Sequence, residues 1–373
     1  MGKGTPGVLQ VIHGEAFGGV ESWLIHILPL LLTAVKVKIL ICDKHIHPVL
    51  RHTFEQHRIA YLHLPITAHV LDYNRQLFRN RAFFDDIDCV HCHVYFKSVW
   101  PLPFFKVLRK HVILHNHAAA TAHIKTRRYR LVFGVLKQVL NLGADTKIAV
   151  SEQSYRDLFG RKTPRHGMMP CGVCDNPTDE FLTHCSQRQQ RKPTNRITLL
   201  HIGRFYESAM FEDAKNQEFI VAILAVLKRM QVDFDMLFVG EGDNKAIRHR
   251  IEQLGFSEHV QFVAYTADKL HVFAKADVFL FPSRHEGYGM SLVEAQLAGC
   301  PCCVSDAIPD EAIFTDNVTR LSLSDSAETW AAAVLARKNA PLSNTYNAHI
   351  QYASLPQNAR ELLTLYTRCQ SEK

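Results

Sequence analysis

The chain has 373 residues, 47% of them hydrophobic and 21% charged, with a formal net charge of +7. That length exceeds one ordinary core and fits two α/β domains of about 150–200 residues each. The composition, with a mean hydropathy of −0.08, is that of a soluble globular protein, and no stretch approaches the roughly 18 uninterrupted apolar residues of a membrane span. Trp23 to Val35 comes nearest and is interrupted by His26 and Pro29. The opening MGKGTPGVLQVIHGE has no apolar region of the signal-peptide kind, so a cytoplasmic setting with ten reduced cysteines is expected. Charge is shared unevenly: residues 1–192 hold 26 Lys and Arg against 14 Asp and Glu, and the remainder 17 against 22. The basic half lacks the aromatic pattern of a nucleic-acid binder. An anionic membrane surface, met peripherally at the inner face of the cell membrane, is the better expectation. Its basic candidates are Lys106, Arg109 and Lys110 beside Phe104 and Phe105, with Lys125, Arg127, Arg128 and Arg130.

In chain order, Leu9–His13 alternates like a first strand and feeds Gly14 to Gly19, then a helical pattern runs from Val20 to about Leu32. Strand, glycine loop and helix open a Rossmann-like half, and Gly18 and Gly19 let a ligand approach the backbone. Further strands are expected at Val37–Cys42, Ile59–Leu64, Cys89–Val94, His111–Leu114 and Lys147–Ser151, with a long helix at Arg127–Leu142. The polar, proline-flanked stretch 175–194 reads as a linker. A second series follows: Ile197–Ile202, Asp235–Val239, Val260–Val263, Asp277–Phe281, Cys302–Ser305 and Arg320–Leu323. Strands alternating with helices in both halves imply two doubly wound parallel sheets. The expected domains are 1–174, 195–355 and a closing helix within 356–373.

The most informative stretch is ADVFLFPSRHEGYGMSLVEAQLAGCPCCVSDAIPDE, from Ala276 to Glu311. A buried strand stops at Pro282, a glycine-bearing loop follows, and a helix begins at Met290 and is stopped by Gly299 and Pro301. Glu286 lies in the loop and Glu294 about one turn into the helix. Between them Gly289 precedes the backbone N–H groups of Met290, Ser291 and Leu292, a ready anion site. Two carboxylates flanking an anion site suit a diphosphate with hydroxyl-rich groups at both ends. Gly203 and Arg204 end one strand of this half and Lys215 opens a helix. Such cations near Met290 would neutralise a bound diphosphate.

The run E-G-Y-G-M-S-L-V-E, with F-P-S before it and E-A-Q-L-A-G-C-P after it, resembles the E-x7-E signature of the retaining glycosyltransferases of family 4. The resemblance implies a GT-B fold, two Rossmann-like domains facing a central cleft, with the closing helix Gln357–Arg368 packed on the first. It implies that Glu286 orients the donor sugar and Glu294 accepts hydrogen bonds from the ribose. Arg204 and Lys215 match the family's Arg and Lys pair, although Phe205–Ala214 intervenes as an inserted loop. Gly18-Gly19-Val20-Glu21 resembles the family's amino-terminal glycine loop, and Gly240 and Gly242 would line the nucleotide cleft. A histidine after the strand comparable to Val112–Leu114 approaches the donor sugar in the family, a role that falls to His115, with His117 second. Two departures stand out: Ala264 and Cys171 occupy positions where the family commonly has Gly and Asn.

Other patterns compete with these. His91 and His93 share one face of a strand, as do His115 and His117, a pairing that could also make a metal site. Cys89-Val-His-Cys92-His93 imitates a haem-attachment motif, Cys171-Gly-Val-Cys174 adds a second C-x-x-C, and Asp86-Ile-Asp88 imitates a metal-holding D-x-D. Each fits a strand or its polar entry more simply. The expectation is therefore a retaining transferase moving a sugar from a UDP- or GDP-linked donor to a glycan or lipid-linked hydroxyl acceptor in surface or exopolysaccharide assembly. It requires no metal or other cofactor. A nucleotide-sugar epimerase and a non-catalytic sugar-nucleotide-binding subunit are the alternatives.

Overall fold

A computed structural model describes residues 5–15, 17–66, 69–94, 100–119, 124–160, 167–191, 195–205, 213–264 and 269–371. The chain divides into two units: one takes in residues 1–122, 126–175 and 354–373, the other 123–125 and 176–353.

The first unit begins β1 (Gly7–Ile12), α1 (Gly19–Leu31), β2 (Lys36–Ile41), α2 (Pro48–Gln56), β3 (Ala60–His63) and α3 (Val70–Arg79). It continues β4 (Cys89–Val94), α4 (Leu102–Val107), β5 (His111–Asn116), α5 (Arg127–Gly143), β6 (Thr146–Ala149) and α6 (Glu152–Phe159). The strands form one parallel sheet in the order β3-β2-β1-β4-β5-β6. All six residues of β1 are buried, as a central strand covered by helices on both faces demands. In α1, Trp23, Leu24, Ile27, Leu28 and Leu31 recur at helical spacing and are buried, and the helix runs past Pro29 to its end.

The second unit contains α7 (Pro177–Gln189), β7 (Ile197–Ile202), α8 (Gln217–Arg229), β8 (Phe234–Val239), α9 (Lys245–Gln253) and β9 (Val260–Val263). Then come α10 (Lys269–Lys275), β10 (Val278–Phe281), α11 (Met290–Leu297), β11 (Cys302–Ser305), β12 (Val318–Leu321) and α12 (Ala327–Asn339). Its parallel sheet has the order β12-β11-β10-β7-β8-β9. Two parallel, doubly wound α/β sheets give the expected fold class.

Most of the stretch read as a linker, 175–194, is helical. Asn176 caps α7 by accepting from the Asp179 N–H, Pro177 fills the first turn with its acids, and Phe181 and Cys185 are buried. Polarity there reflects helix-start chemistry rather than an extended tether.

The last helix, α13 (Leu355–Ser371), belongs to the first unit. Trp23 Nε1 donates to Asn358 Oδ1 at 2.6 Å, and Gln10 Nε2 donates to the buried Tyr366 hydroxyl at 2.9 Å. The chain re-enters beside Gly172, where a Cβ would stand 2.7 Å from the Ser354 carbonyl carbon.

Candidate active site

In the second unit the carboxyl ends of β7 and β10, neighbours in the sheet, hold most of the residues singled out above. After β10, Ser283–Gly289 forms the loop and Gly289, at φ +91°, starts α11 in a left-handed conformation that suits glycine. The amides of Met290 and Ser291 have no hydrogen-bond partner among the described residues. The Leu292 amide, expected to be open, instead donates to Gly289 carbonyl oxygen at 2.8 Å. A first turn wound tightly on a left-handed cap uses that donor and leaves two amides rather than three.

Glu286 in the loop accepts from Lys215 Nζ at 2.6 Å, and the same ammonium lies 4.9 Å from the centre of the Phe281 ring. Lys215 is set by its neighbour Asn216, which is buried in a left-handed conformation (φ 55°), donates to Pro282 carbonyl oxygen at 3.1 Å and accepts from Arg284 at 2.8 Å. Two segments 71 residues apart in sequence thus meet as one carboxylate–ammonium pair. Arg204 is exposed, and its guanidinium makes no bond to the described residues. Most of the intervening segment, 206–212, lies outside those residues.

Glu294 sits on α11 and is only slightly exposed. One oxygen accepts from Lys269 Nζ at 2.7 Å; the other, Oε2, is buried and without a partner among the described residues. Ser283 Oγ, and Nε2 of His201, whose Nδ1 donates to Leu280 carbonyl oxygen at 2.9 Å, are likewise buried without a partner among the described residues. Buried polar atoms without partners are rare in folded proteins and mark places where a ligand or water completes the bonding. Burial holds the His201 ring down to about 3, the Leu280 bond opposing and Lys215 adding to the effect, so the ring is neutral and Nε2 is an acceptor. Lys269 and His201 escaped the sequence reading. The signal for His201 was its place inside His-Ile-Gly-Arg, directly before Gly203.

The glycines have structural reasons of their own. A Cβ on Gly203 would stand 2.8 Å from His201 Nε2 and 3.0 Å from Lys215 Cγ. One on Gly240 would meet the Gly203 carbonyl oxygen at 2.0 Å, and one on Gly242, at φ +116°, the Phe205 carbonyl oxygen at 1.8 Å. Gly240 and Gly242 therefore admit the backbone of 203–205, which continues the pairing of β7 with β8 through Phe205 N–H to Glu241 carbonyl oxygen at 2.8 Å.

Gly18, Gly19 and His115 belong to the first unit. Gly18 caps α1 and its N–H donates to Glu21 Oε2 at 3.0 Å. His115 is buried, with Nε2 on Met169 carbonyl oxygen at 3.0 Å and Nδ1 facing His91 Nε2 at 3.3 Å. Burial holds its ring down to about 3 against the opposing Met169 bond. A direct contact between His115 and a sugar requires one of these two bonds to open. His117 is partly exposed, and its Nε2 meets His93 Nδ1 at 2.9 Å.

The imitating motifs resolve as structure. Asp86 binds Lys38 Nζ at 2.5 Å, and Asp88 accepts from the Gly7 N–H at 2.9 Å, so both acids close the amino-terminal edge of the sheet. All ten cysteines are buried, and desolvation raises the Cys303 thiol to about 12.

Residues 186–354 match the family described as Glycosyl transferases group 1. The chain is 27% identical over 270 residues to "Putative glycosyltransferase EpsF" of Bacillus subtilis, covering 68% of this chain and 67% of that one. It is 23% identical over 284 residues to "Capsular polysaccharide biosynthesis glycosyltransferase CapH" of Staphylococcus aureus, covering 72% and 75%. The crystal structure of Anabaena HepE in complex with UDP-glucose superposes with a TM-score of 0.68 at 17% identity, over 98% of this chain and 97% of that one. This chain therefore has the two-domain GT-B fold, with a glycosyl transferases group 1 match across its second unit.

Proposed function

We propose that the protein is a retaining glycosyltransferase that moves a sugar from a nucleotide-diphosphate donor to a hydroxyl acceptor in polysaccharide assembly. The glycosyltransferase reading is supported by the family match and by relatives named for polysaccharide biosynthesis. The observation that carries the finer reading is Glu294. Its partnerless Oε2 lies three residues beyond the second of the two open amides of α11, while Glu286 and Lys215 stand paired before them.

In this reading the diphosphate docks on the Met290 and Ser291 amides, and Glu294 Oε2 accepts a ribose hydroxyl. Lys215 and Arg204 offset the charge that develops on the leaving phosphate, so no divalent ion is needed there. Glu286 orients the donor sugar and restrains Lys215. Binding aligns the two substrates, which supplies much of the acceleration expected of a site with no covalent chemistry of its own.

The acceptor side carries a second proposal, peripheral docking on an anionic membrane. Phe104 and Phe105, expected beside the basic cluster at the lipid, are buried core residues. Lys106 is paired with Asp145 at 2.7 Å, and Lys110 donates to Ile87 carbonyl oxygen at 2.7 Å. The supporting feature is instead α5, where Leu131, Val135, Val139 and Leu142 are exposed at helical spacing behind Arg127, Arg128 and Arg130. No helix among the described residues is long and apolar enough to cross a membrane.

The test is a panel of UDP- and GDP-sugars screened by thermal shift, followed by turnover with and without acceptor and without added magnesium or manganese. A stabilising donor whose conversion requires an acceptor is expected. Conversion of donor alone would replace this reading with the epimerase, and an absolute need for added metal would overturn the metal-free leaving-group step.

A further inference from the structure

The first unit holds a constellation that sugar transfer leaves largely unused. Strands β4 and β5 pair with His93 opposite His115, so His91 and His93 on β4 lie on the same side of the sheet as His115 on β5, with His117 just past the end of β5. His91, His93 and His115 are fully buried, and one ligand atom from each lies within 4.8 Å of the others. His91 Nε2 and His115 Nδ1 are 3.3 Å apart. Two nitrogens each bound about 2.05 Å from one tetrahedral centre also stand about 3.3 Å apart.

The outward nitrogens are pinned. His115 Nε2 bonds Met169 carbonyl oxygen at 3.0 Å, and His93 Nε2 bonds Gln10 Oε1 at 2.9 Å. Carbonyl oxygens only accept, so both Nε2 atoms carry hydrogen; the His115 Nδ1 lone pair then faces His91 Nε2, and the His93 Nδ1 lone pair faces His117 Nε2 at 2.9 Å. The third ring, His91, meets the Tyr366 hydroxyl through Nδ1 at 2.7 Å. Trp23 packs edge-on against His93 and His115, with ring centres 5.5 and 5.9 Å away. Metal-binding imidazoles are oriented in this way, the outer N–H on an oxygen and the inner lone pair directed at the ion. The cluster lies on β4 and β5, next to the β1–β4 boundary where the strand order reverses, the place where open α/β sheets take ligands.

We propose that His91, His93 and His115 bind a divalent transition-metal ion of the zinc class. Three imidazoles without a carboxylate suit zinc rather than calcium or magnesium, and a water completes the fourth position. On binding, His91 carries its hydrogen on Nδ1, where the Tyr366 hydroxyl accepts it. His93 Nδ1 gives up its bond to His117 Nε2, which frees that partly exposed ring. The same contacts can also be satisfied by neutral rings in an ion-free hydrogen-bond chain, with Cys171 Sγ at 3.7 Å from His117 Nδ1 closing one end. That chain is the outcome the experiment must separate.

The full-length chain is stripped with chelator, then titrated with zinc against a chromophoric competitor and, separately, with cobalt(II). About one zinc per chain is expected, and cobalt should develop the strong visible absorption of a tetrahedral site. H91Q and H93Q should each lower zinc affinity at least about 100-fold with an unchanged circular dichroism spectrum. Replacement of the exposed His52 by Gln should leave it unchanged. Y366F keeps all three ligands and should weaken binding roughly 10-fold, the usual scale for an outer-shell partner. Zinc uptake that survives H91Q, or a wild-type chain that shows no tetrahedral cobalt absorption, would overturn the proposal and leave the hydrogen-bond chain. If H91Q fails to fold, the wild-type cobalt spectrum and Y366F decide.

Discussion

Glu286 and Glu294 are both glutamates held by a lysine, yet their surroundings differ, and the proposed function gives them different work. Glu286 is tied to Lys215 at 2.6 Å, in the proposed function the end of the site where the leaving charge is offset. Glu294 keeps one buried oxygen without a partner on the far side of the α11 amides. Glu286→Gln should therefore lower turnover by several orders of magnitude while nucleotide affinity stays nearly constant. Glu294→Ala should weaken nucleotide binding by about 1.5–3 kcal/mol, the scale of a charge-assisted hydrogen bond. Calorimetric titration with the nucleotide diphosphate separates them, and equal loss of affinity in both variants would reject this division. These two acids were legible in the sequence because their spacing and the glycine between them survive as local geometry. Lys269, by contrast, reaches Glu294 from 25 residues upstream on another helix, and no local pattern announces such a partner. The engagement of the Leu292 amide was equally hidden, since it depends on the torsion Gly289 adopts.

Among the elements, strands were the most legible. Cys89–Val94, Ile197–Ile202 and Cys302–Ser305 form where short apolar runs end in turn residues, because a strand buried on both faces leaves that mark in the chain. The pairing of 203–205 with 240–242 was not, since it extends the sheet through residues that read as loops. Its glycines yield a contrast. Gly240→Ala would drive a Cβ against the Gly203 carbonyl oxygen and should cost about 3 kcal/mol or more. Gly134→Ala, in α5 with nothing within 4 Å of the added carbon, should stabilise by roughly 0.5–1 kcal/mol. Denaturant titration of both variants reads this directly, and similar losses in the two would sink the packing argument. The outward face of α5 carries the membrane prediction. Leu131 and Leu142 are 73% and 83% exposed, and Leu131→Gln with Leu142→Gln should reduce co-sedimentation with anionic vesicles. Added salt should reduce it too, because each basic residue near such a surface contributes about 1 kcal/mol that ions screen. Equal binding to neutral vesicles would refute it.

For the whole molecule, buried neutral histidines make stability depend on acid. His201 is held down to about 3 in the fold but takes a proton near 6.5 when unfolded. Between those values the unfolded chain binds more protons. Its contribution is thus complete above about pH 6.5 and declines as pH falls toward 3, at up to about 1.4 kcal/mol per pH unit. Urea titrations across that window should show a shallower decline for His201→Gln, and an unchanged slope would contradict the assignment. A last consequence concerns synthesis. Tyr366 and Asn358, which answer Gln10, His91 and Trp23, are translated after every residue of the second unit. A chain emerging from the ribosome in order can close its second sheet while its first is still missing a helix. The amino-terminal unit, first to be made, is then the last to be finished, and until α13 emerges its buried polar groups wait on water.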